Sequence, residues 1–360
     1  NYLGYTRWKK LKKLYHISRG IIHAHGLRYY FYVVKLEFQK KGLALFSADQ
    51  KPISSFNEIS FNEEYQNYLK NLNEKLVKES SDKQNKSFYM PKISIVLIIN
   101  EENLDEVNNT IDSIKNQTYD NWEIIIFPKN SPENIPRINE LIEKNNPKIL
   151  FCDKLSDTSF KKILNLNSDF IGFLHSGTQL SKFALHEFTK EINQYPDSEI
   201  LYSDHDYLNK DNLHVDPFFK PNWSPYLFRS VDYLSSFYII KKTILQKIDS
   251  DLIISNCFVY DILLQSTENT KFIHHISIPL YSIKNKILEN FNSKQLALSN
   301  HFKRLNINAK IKFKNSENTF HIKYFRNEKP KVSIIIPTKN NYRILKRCLN
   351  SIEKKTNYDN

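Results

Sequence analysis

The chain has 360 residues, 40% hydrophobic and 25% charged, with a formal net charge of +13 at pH 7, enough apolar material for about two domains. Only six residues are glycine, at positions 4, 20, 26, 42, 172 and 177, which excludes a Walker A phosphate loop and a dinucleotide-binding G-x-G-x-x-G. The widely spaced Cys152, Cys257 and Cys348 form neither a zinc pattern nor a disulfide framework and fit a reducing, cytoplasmic compartment.

The positive charge gathers at the start. Residues 1–41 hold ten Lys and Arg against the single acid Glu37, a net +9 that leaves +4 for the other 319 residues. Tyr5, Trp8, Tyr15, Tyr29, Tyr30, Phe31 and Tyr32 alternate with these charges. Residues 1–48 therefore read as a basic aromatic helical segment. It suits either an anionic membrane surface, at ~1 kcal/mol per Lys or Arg, or a solvated helix whose charges face water. No run approaches the ~18 apolar residues of a spanning helix, so the location expected is cytoplasmic and at most peripheral to the membrane's inner face. No nucleic-acid recognition module accompanies the charge, and nucleic acid is not an expected partner. Residues 49–90 read as a linker with one helix over 65–72 and a low-complexity run over 78–86.

From Pro91 the pattern becomes strand–helix alternation. Ile93 to Ile99, Trp122 to Phe127, Lys148 to Cys152, Phe170 to Leu174 and Glu199 to Tyr202 are predicted strands. Helical spacing appears over 105–116, 138–144, 159–166 and 181–193. This order predicts βαβ units and a parallel-sheet α/β domain over 91–325.

The opening unit then returns. Pro91-Lys-Ile-Ser-Ile-Val-Leu-Ile98 reappears as Pro330-Lys-Val-Ser-Ile-Ile-Ile-Pro337, and Ser113-Ile-Lys-Asn-Gln-Thr-Tyr-Asp-Asn121 as Ser351-Ile-Glu-Lys-Lys-Thr-Asn-Tyr-Asp-Asn360. Residues 330–360 therefore read as the first strand and helix of a second copy, cut off after them.

These residues resemble the inverting glycosyltransferases of family 2, with the GT-A fold. More narrowly, they resemble tandem-domain members that build bacterial surface polysaccharide. Val332 to Asn340, with Leu345, Cys348 and Ser351-Ile352, is similar to the family's opening strand and helix. Leu201-Tyr-Ser-Asp-His-Asp-Tyr-Leu208, Asp216 to Pro225 and His275 to Tyr281 are similar to stretches of the tandem subgroup. The resemblance implies transfer of a sugar from a nucleotide-sugar donor to a lipid-linked or polysaccharide acceptor. It also implies a divalent cation, Mg or Mn, that neutralises the diphosphate leaving group, and a carboxylate acting as general base. In the second copy it assigns Pro337, Thr338 and Asn340 to nucleotide binding.

The first copy departs from that pattern. Pro128-Lys129 replaces the family's acidic pair after the second strand, leaving Lys129 as a candidate for a phosphate. His175-Ser-Gly-Thr178 stands where metal-binding aspartates belong, and His175 is either a ligand or a hydrogen-bonded structural residue. Val259 falls on the expected base, with Asp261 the surviving acid nearby. Asp204 and Asp206 keep a literal D-x-D spacing; at a strand end both could meet one cation, or they could sit in a solvated turn. Two readings stand: a transferase, or an inactive GT-A domain that binds glycan or scaffolds an active second domain.

Overall fold

The computed structural model describes residues 58–81, 88–99, 104–128, 149–151, 157–249, 253–284, 290–326, 328–358 and 360. The basic segment 1–48, Lys129, Cys152 and the helix expected over 138–144 lie outside the described residues.

The first element is a helix, α1 (Glu58–Ser81). It extends well beyond the turns expected over 65–72, and it is docked rather than linker-like: Tyr65 and Leu76 are buried, and Glu79 pairs with Lys190. Its polar faces, including the Lys75–Glu79 pair, hide the helix from a search for apolar periodicity.

The domain begins with β1 (Ile93–Ile99), α2 (Leu104–Lys115), β2 (Trp122–Pro128), β3 (Ile149–Phe151), α3 (Asp157–Leu164) and β4 (Phe170–His175). Next come β5 (Thr178–Leu180), α4 (Ala184–Gln194), β6 (Ile200–Leu208), β7 (His214–Phe218), α5 (Pro225–Ser230), β8 (Phe237–Lys241) and α6 (Lys242–Leu245). It ends with α7 (Phe258–Asn269), β9 (Ile273–Ile283), α8 (Phe291–Arg304) and the hairpin β10 (Ala309–Lys314) and β11 (Thr319–Tyr324).

Among the described residues, nine strands make one sheet in the order β3-β2-β1-β4-β8-β6-β9-β5, with β7 added against β6. β1 pairs in parallel with β2 and β4. β8 enters antiparallel between β4 and β6, and β6 pairs in parallel with β9. The expected parallel sheet is thus mixed, though rich in parallel pairs. Every residue of β1 is buried, because its two faces feed two cores. Val96 and Ile98 join one, while Ile93, Ile95, Leu97 and Ile99 join the other. Burial on both faces is why the strand reads as an unbroken β-branched run.

Residues 330–360 repeat the opening unit in their hydrogen bonds. In the first copy Ile93 N donates to Asn121 O at 3.0 Å, Tyr119 Oη to Pro91 O at 2.5 Å, and Asn121 Nδ2 to Met90 O at 2.9 Å. In the second, Val332 N donates to Asn360 O at 3.1 Å, Tyr358 Oη to Pro330 O at 2.5 Å, and Asn360 Nδ2 to Lys329 O at 2.5 Å. The helix α9 (Tyr342–Lys355) forms, capped by the Asn341 side chain. The strand expected over 332–336 does not: these residues have no regular structure, and Ile335 is 91% exposed. A strand is held by its neighbours' backbone, and among the described residues no strand pairs with 332–336.

Candidate functional site

In an open α/β sheet, ligands bind outside the carboxyl ends of the parallel strands. Here those ends are Ile99, Pro128 and His175. After His175 the chain turns sharply: Ser176 N donates to Ile98 O at 2.9 Å, and Gly177 N donates to Thr110 Oγ1 at 3.1 Å. Gly177 has φ 85°, and a Cβ built there would lie 3.0 Å from Glu106 Oε2. Glycine at this point serves both the left-handed backbone and the close approach of α2.

The D-x-D acids lie two strands across, on β6, level with the end of β4, and are held by different partners. β6 runs through them to Leu208 rather than ending before them, with irregular pairing to β9 around Asp204. Asp204 Oδ1 accepts from Lys220 N at 2.7 Å and bonds His275 Nε2 at 2.8 Å. His275 stacks on Tyr202, centroids 4.8 Å apart. Asp206 Oδ2 accepts from Tyr65 Oη of α1 at 2.6 Å and bonds His214 Nδ1 at 2.9 Å. That bond to Asp206 raises the His214 pKa above its ordinary value, against the opposing effect of burial. These acids do not sit in a solvated turn: they are buried in mid-strand, each bonded to its own histidine, and Asp204 Oδ2 and Asp206 Oδ1 have no hydrogen-bond partner among the described residues.

Asp261 lies in the first turn of α7 and is fully buried. Its Oδ2 accepts from Ile254 N at 2.9 Å, which ties down the preceding loop. Burial raises its pKa, opposed by that N–H and by Arg304. Beside it Cys257 is pushed up to about 12, first by burial and then by Asp261. Asp204, Asp206 and Asp261 are 1%, 2% and 0% exposed, though Asp206, with His214 and Tyr281, lines a cavity of about 940 Å³ beside α1.

Two buried cations escaped the reading of the sequence. Lys220 donates to Tyr281 Oη at 2.6 Å, and Lys294 pairs with Asp232 at 2.6 Å. Burial works against the Asp232 carboxylate, but Lys294 and Ser235 hold its pKa below the ordinary value. The signal for Lys220 was its place between Phe219 and Pro221, an apolar setting for a charge.

Pro337, Thr338 and Asn340 lie together on the exposed approach to α9, with Asn340 at φ 48°. Among the described residues, no group of three or more His, Cys, Asp or Glu could hold a metal. The donors present do not fit the family's divalent cation: the β4 end offers no carboxylate at 175–178, and the D-x-D acids face separate partners. No described helix is long and apolar enough to cross a membrane.

The mixed sheet, with its parallel β3-β2-β1-β4 half and antiparallel β8 inserted next to it, defines a GT-A-like domain. Residues 94–197 match the family described as Glycosyl transferase family 2. It is 26% identical over 288 residues to the O-antigen biosynthesis protein RfbC of Myxococcus xanthus, covering 74% of this chain and 22% of that protein. It is 24% identical over 295 residues to the uncharacterized protein y4gI of Sinorhizobium fredii, covering 75% and 32%. The chain thus spans a third or less of the length of these curated relatives. Among solved structures, S. aureus TarS 1-349 in complex with UDP aligns with a TM-score of 0.43 at 16% identity, over 59% of this chain and 65% of that one.

Proposed function

We propose that this chain belongs to a tandem glycosyltransferase of polysaccharide synthesis, in which residues 91–325 form a glycan-binding or scaffolding domain and transfer belongs to a second domain opening at Pro330. The protein as a whole would move a sugar from a nucleotide donor to a lipid-linked or polysaccharide acceptor. The observation that carries the reading is the β4 end. There His175 to Thr178 replace the acids that a cation-assisted departure of diphosphate requires, while Asp204, Asp206 and Asp261 are buried, each with one oxygen engaged by protein partners. The repeated hydrogen bonds of 330–360 support a second domain of the same kind, and Pro337, Thr338 and Asn340 are its candidate nucleotide contacts. The name of the Myxococcus xanthus relative supports the polysaccharide context.

The test is calorimetric titration of the 360-residue chain with UDP, with and without Mn²⁺, alongside a donor-hydrolysis assay. The expected result is weak, metal-independent binding and no turnover above background. Micromolar, Mn²⁺-dependent binding that disappears in Asp204→Asn would assign a working donor site to 91–325.

A further inference from the structure

A small cavity lies at the amino end of β6 and β9, away from the β4 turn. β9 starts at Ile273, paired with Ile200 at the start of β6; the β4 turn with His175 is at the opposite strand end. Between α5, the end of α7 and α8 is a cavity of about 170 Å³, lined among others by Trp223, Arg229, Thr267, Thr270, Lys271 and His301. Pockets for drug-sized ligands and cofactors run to roughly 300–1,000 Å³, so this one suits a single ring and not a nucleotide sugar.

Its charge is one-sided. No acidic residue lines it. The neighbouring Glu268 is engaged by Arg304, with contacts of 2.7 to 3.0 Å, and by His301 Nδ1 at 2.6 Å. His301 Nε2 in turn accepts from Arg229 Nε at 3.1 Å. This chain of bonds fixes His301 as the neutral tautomer protonated on Nδ1, consistent with burial lowering its pKa. Arg229 is thus hydrogen-bonded through Nε, and its guanidinium lies 5.9 and 5.6 Å from the Tyr226 and Phe302 ring centroids. Among the described residues, its terminal nitrogens and the Lys271 ammonium make no hydrogen bond or ion pair, and a guanidinium fork matches a carboxylate or phosphate. Trp223 and Phe228 supply apolar faces, with ring centroids 5.4 Å apart. Thr267 and Thr270 supply hydroxyls.

We propose that the Trp223–Arg229–Lys271 cavity binds a pyranose carrying an anionic substituent, an acidic residue of the glycan that the protein handles. The indole takes the ring face, the two cations take the acid, and the threonines take ring hydroxyls. The inference rests on the glycan reading above only for the source of the sugar. Binding here is measured without nucleotide, so either can fail while the other stands.

The experiment is calorimetric titration of the 360-residue chain with glucuronate, glucose 6-phosphate, glucose and inorganic phosphate, repeated for Lys271→Gln and Arg229→Gln. Saturable binding of at least one acidic sugar is expected, with glucose and phosphate at least about fivefold weaker. Each variant should lose about five- to tenfold in affinity, the effect of one charge-assisted contact, and salt should weaken binding. Lys271 is exposed, so its variant keeps the fold and isolates the charge; Trp223 fluorescence should shift on titration. No saturable binding, unchanged affinity in Lys271→Gln, or phosphate binding as tightly as the sugars would overturn the assignment.

Discussion

Tyr65 donates its hydroxyl to Asp206 at 2.6 Å across 141 residues of chain, so the helix ahead of the domain is fastened to the acid that a metal-site reading would leave open. Gln66 repeats the attachment through His214 O, and Tyr68 packs edge-on against Phe219. Tyr65→Phe should destabilise the fold by about 1–3 kcal/mol, the cost of a buried charged acceptor losing a donor. Urea denaturation checks this. Combined with Asp206→Asn the loss should be smaller than the sum, because the two side chains share one interaction.

The Asp206–His214 pair predicts a pH dependence. The folded pKa of His214 is raised above the unfolded value, about 6.5. Its contribution is therefore fully present below that value and is lost as pH rises through the folded pKa. His301 runs the other way: its folded pKa is lowered, so its contribution is present above pH ~6.5 and is lost on acidification. Denaturation midpoints across pH 5–9 should fall less steeply on the alkaline side in His214→Asn. An unchanged alkaline limb would contradict the assignment.

Lys294 and Asp232 are both buried, with side chains 9% and 6% exposed. Lys294→Met strands a carboxylate and should cost about 3–5 kcal/mol. The double variant Lys294→Met/Asp232→Leu should recover most of that loss, since no charge is then left unpaired. Thermal unfolding of the three variants is the measurement.

The two copies of the opening strand differ in setting, not in type. Ile95 is fully buried while Ile334, its counterpart, is 56% exposed. Ile95→Ala should cost about 2–5 kcal/mol, and Ile334→Ala should fall within about 0.5 kcal/mol of the parent. Amide exchange should be slow over 95–97 and fast over 334–336.

What was legible in the sequence was what is locally determined. The β1 run announces a strand buried on both faces, and the helical spacing after it marks α2. β8 was not legible, because its place between β4 and β6 depends on partners dozens of residues away. The reach of β6 to Leu208 was hidden because Ser203, Asp204, His205 and Asp206 look like a polar loop. They are tolerated inside a sheet because Tyr65, His214, Lys220 and His275 bond the two acids. Conversely, Val332 to Ile336 has every local mark of a strand and does not form one, for want of neighbours. The site reading suffered in the same way: spacing paired Asp204 with Asp206, and it could not show that Lys220 and His275 hold one while Tyr65 and His214 hold the other.

The turn at Gly177 closes a route. An aspartate there would bring a Cβ to 3.0 Å from Glu106 Oε2 at a backbone φ of 85°, adding left-handed strain of about 1–2 kcal/mol to repulsion between two carboxylates. An acid at 177 would require Glu106 to swing aside and the backbone there to hold a left-handed conformation. The turn therefore works as a local lock: an acid at 177 itself meets both obstacles, while 175, 176 and 178 are left open to one.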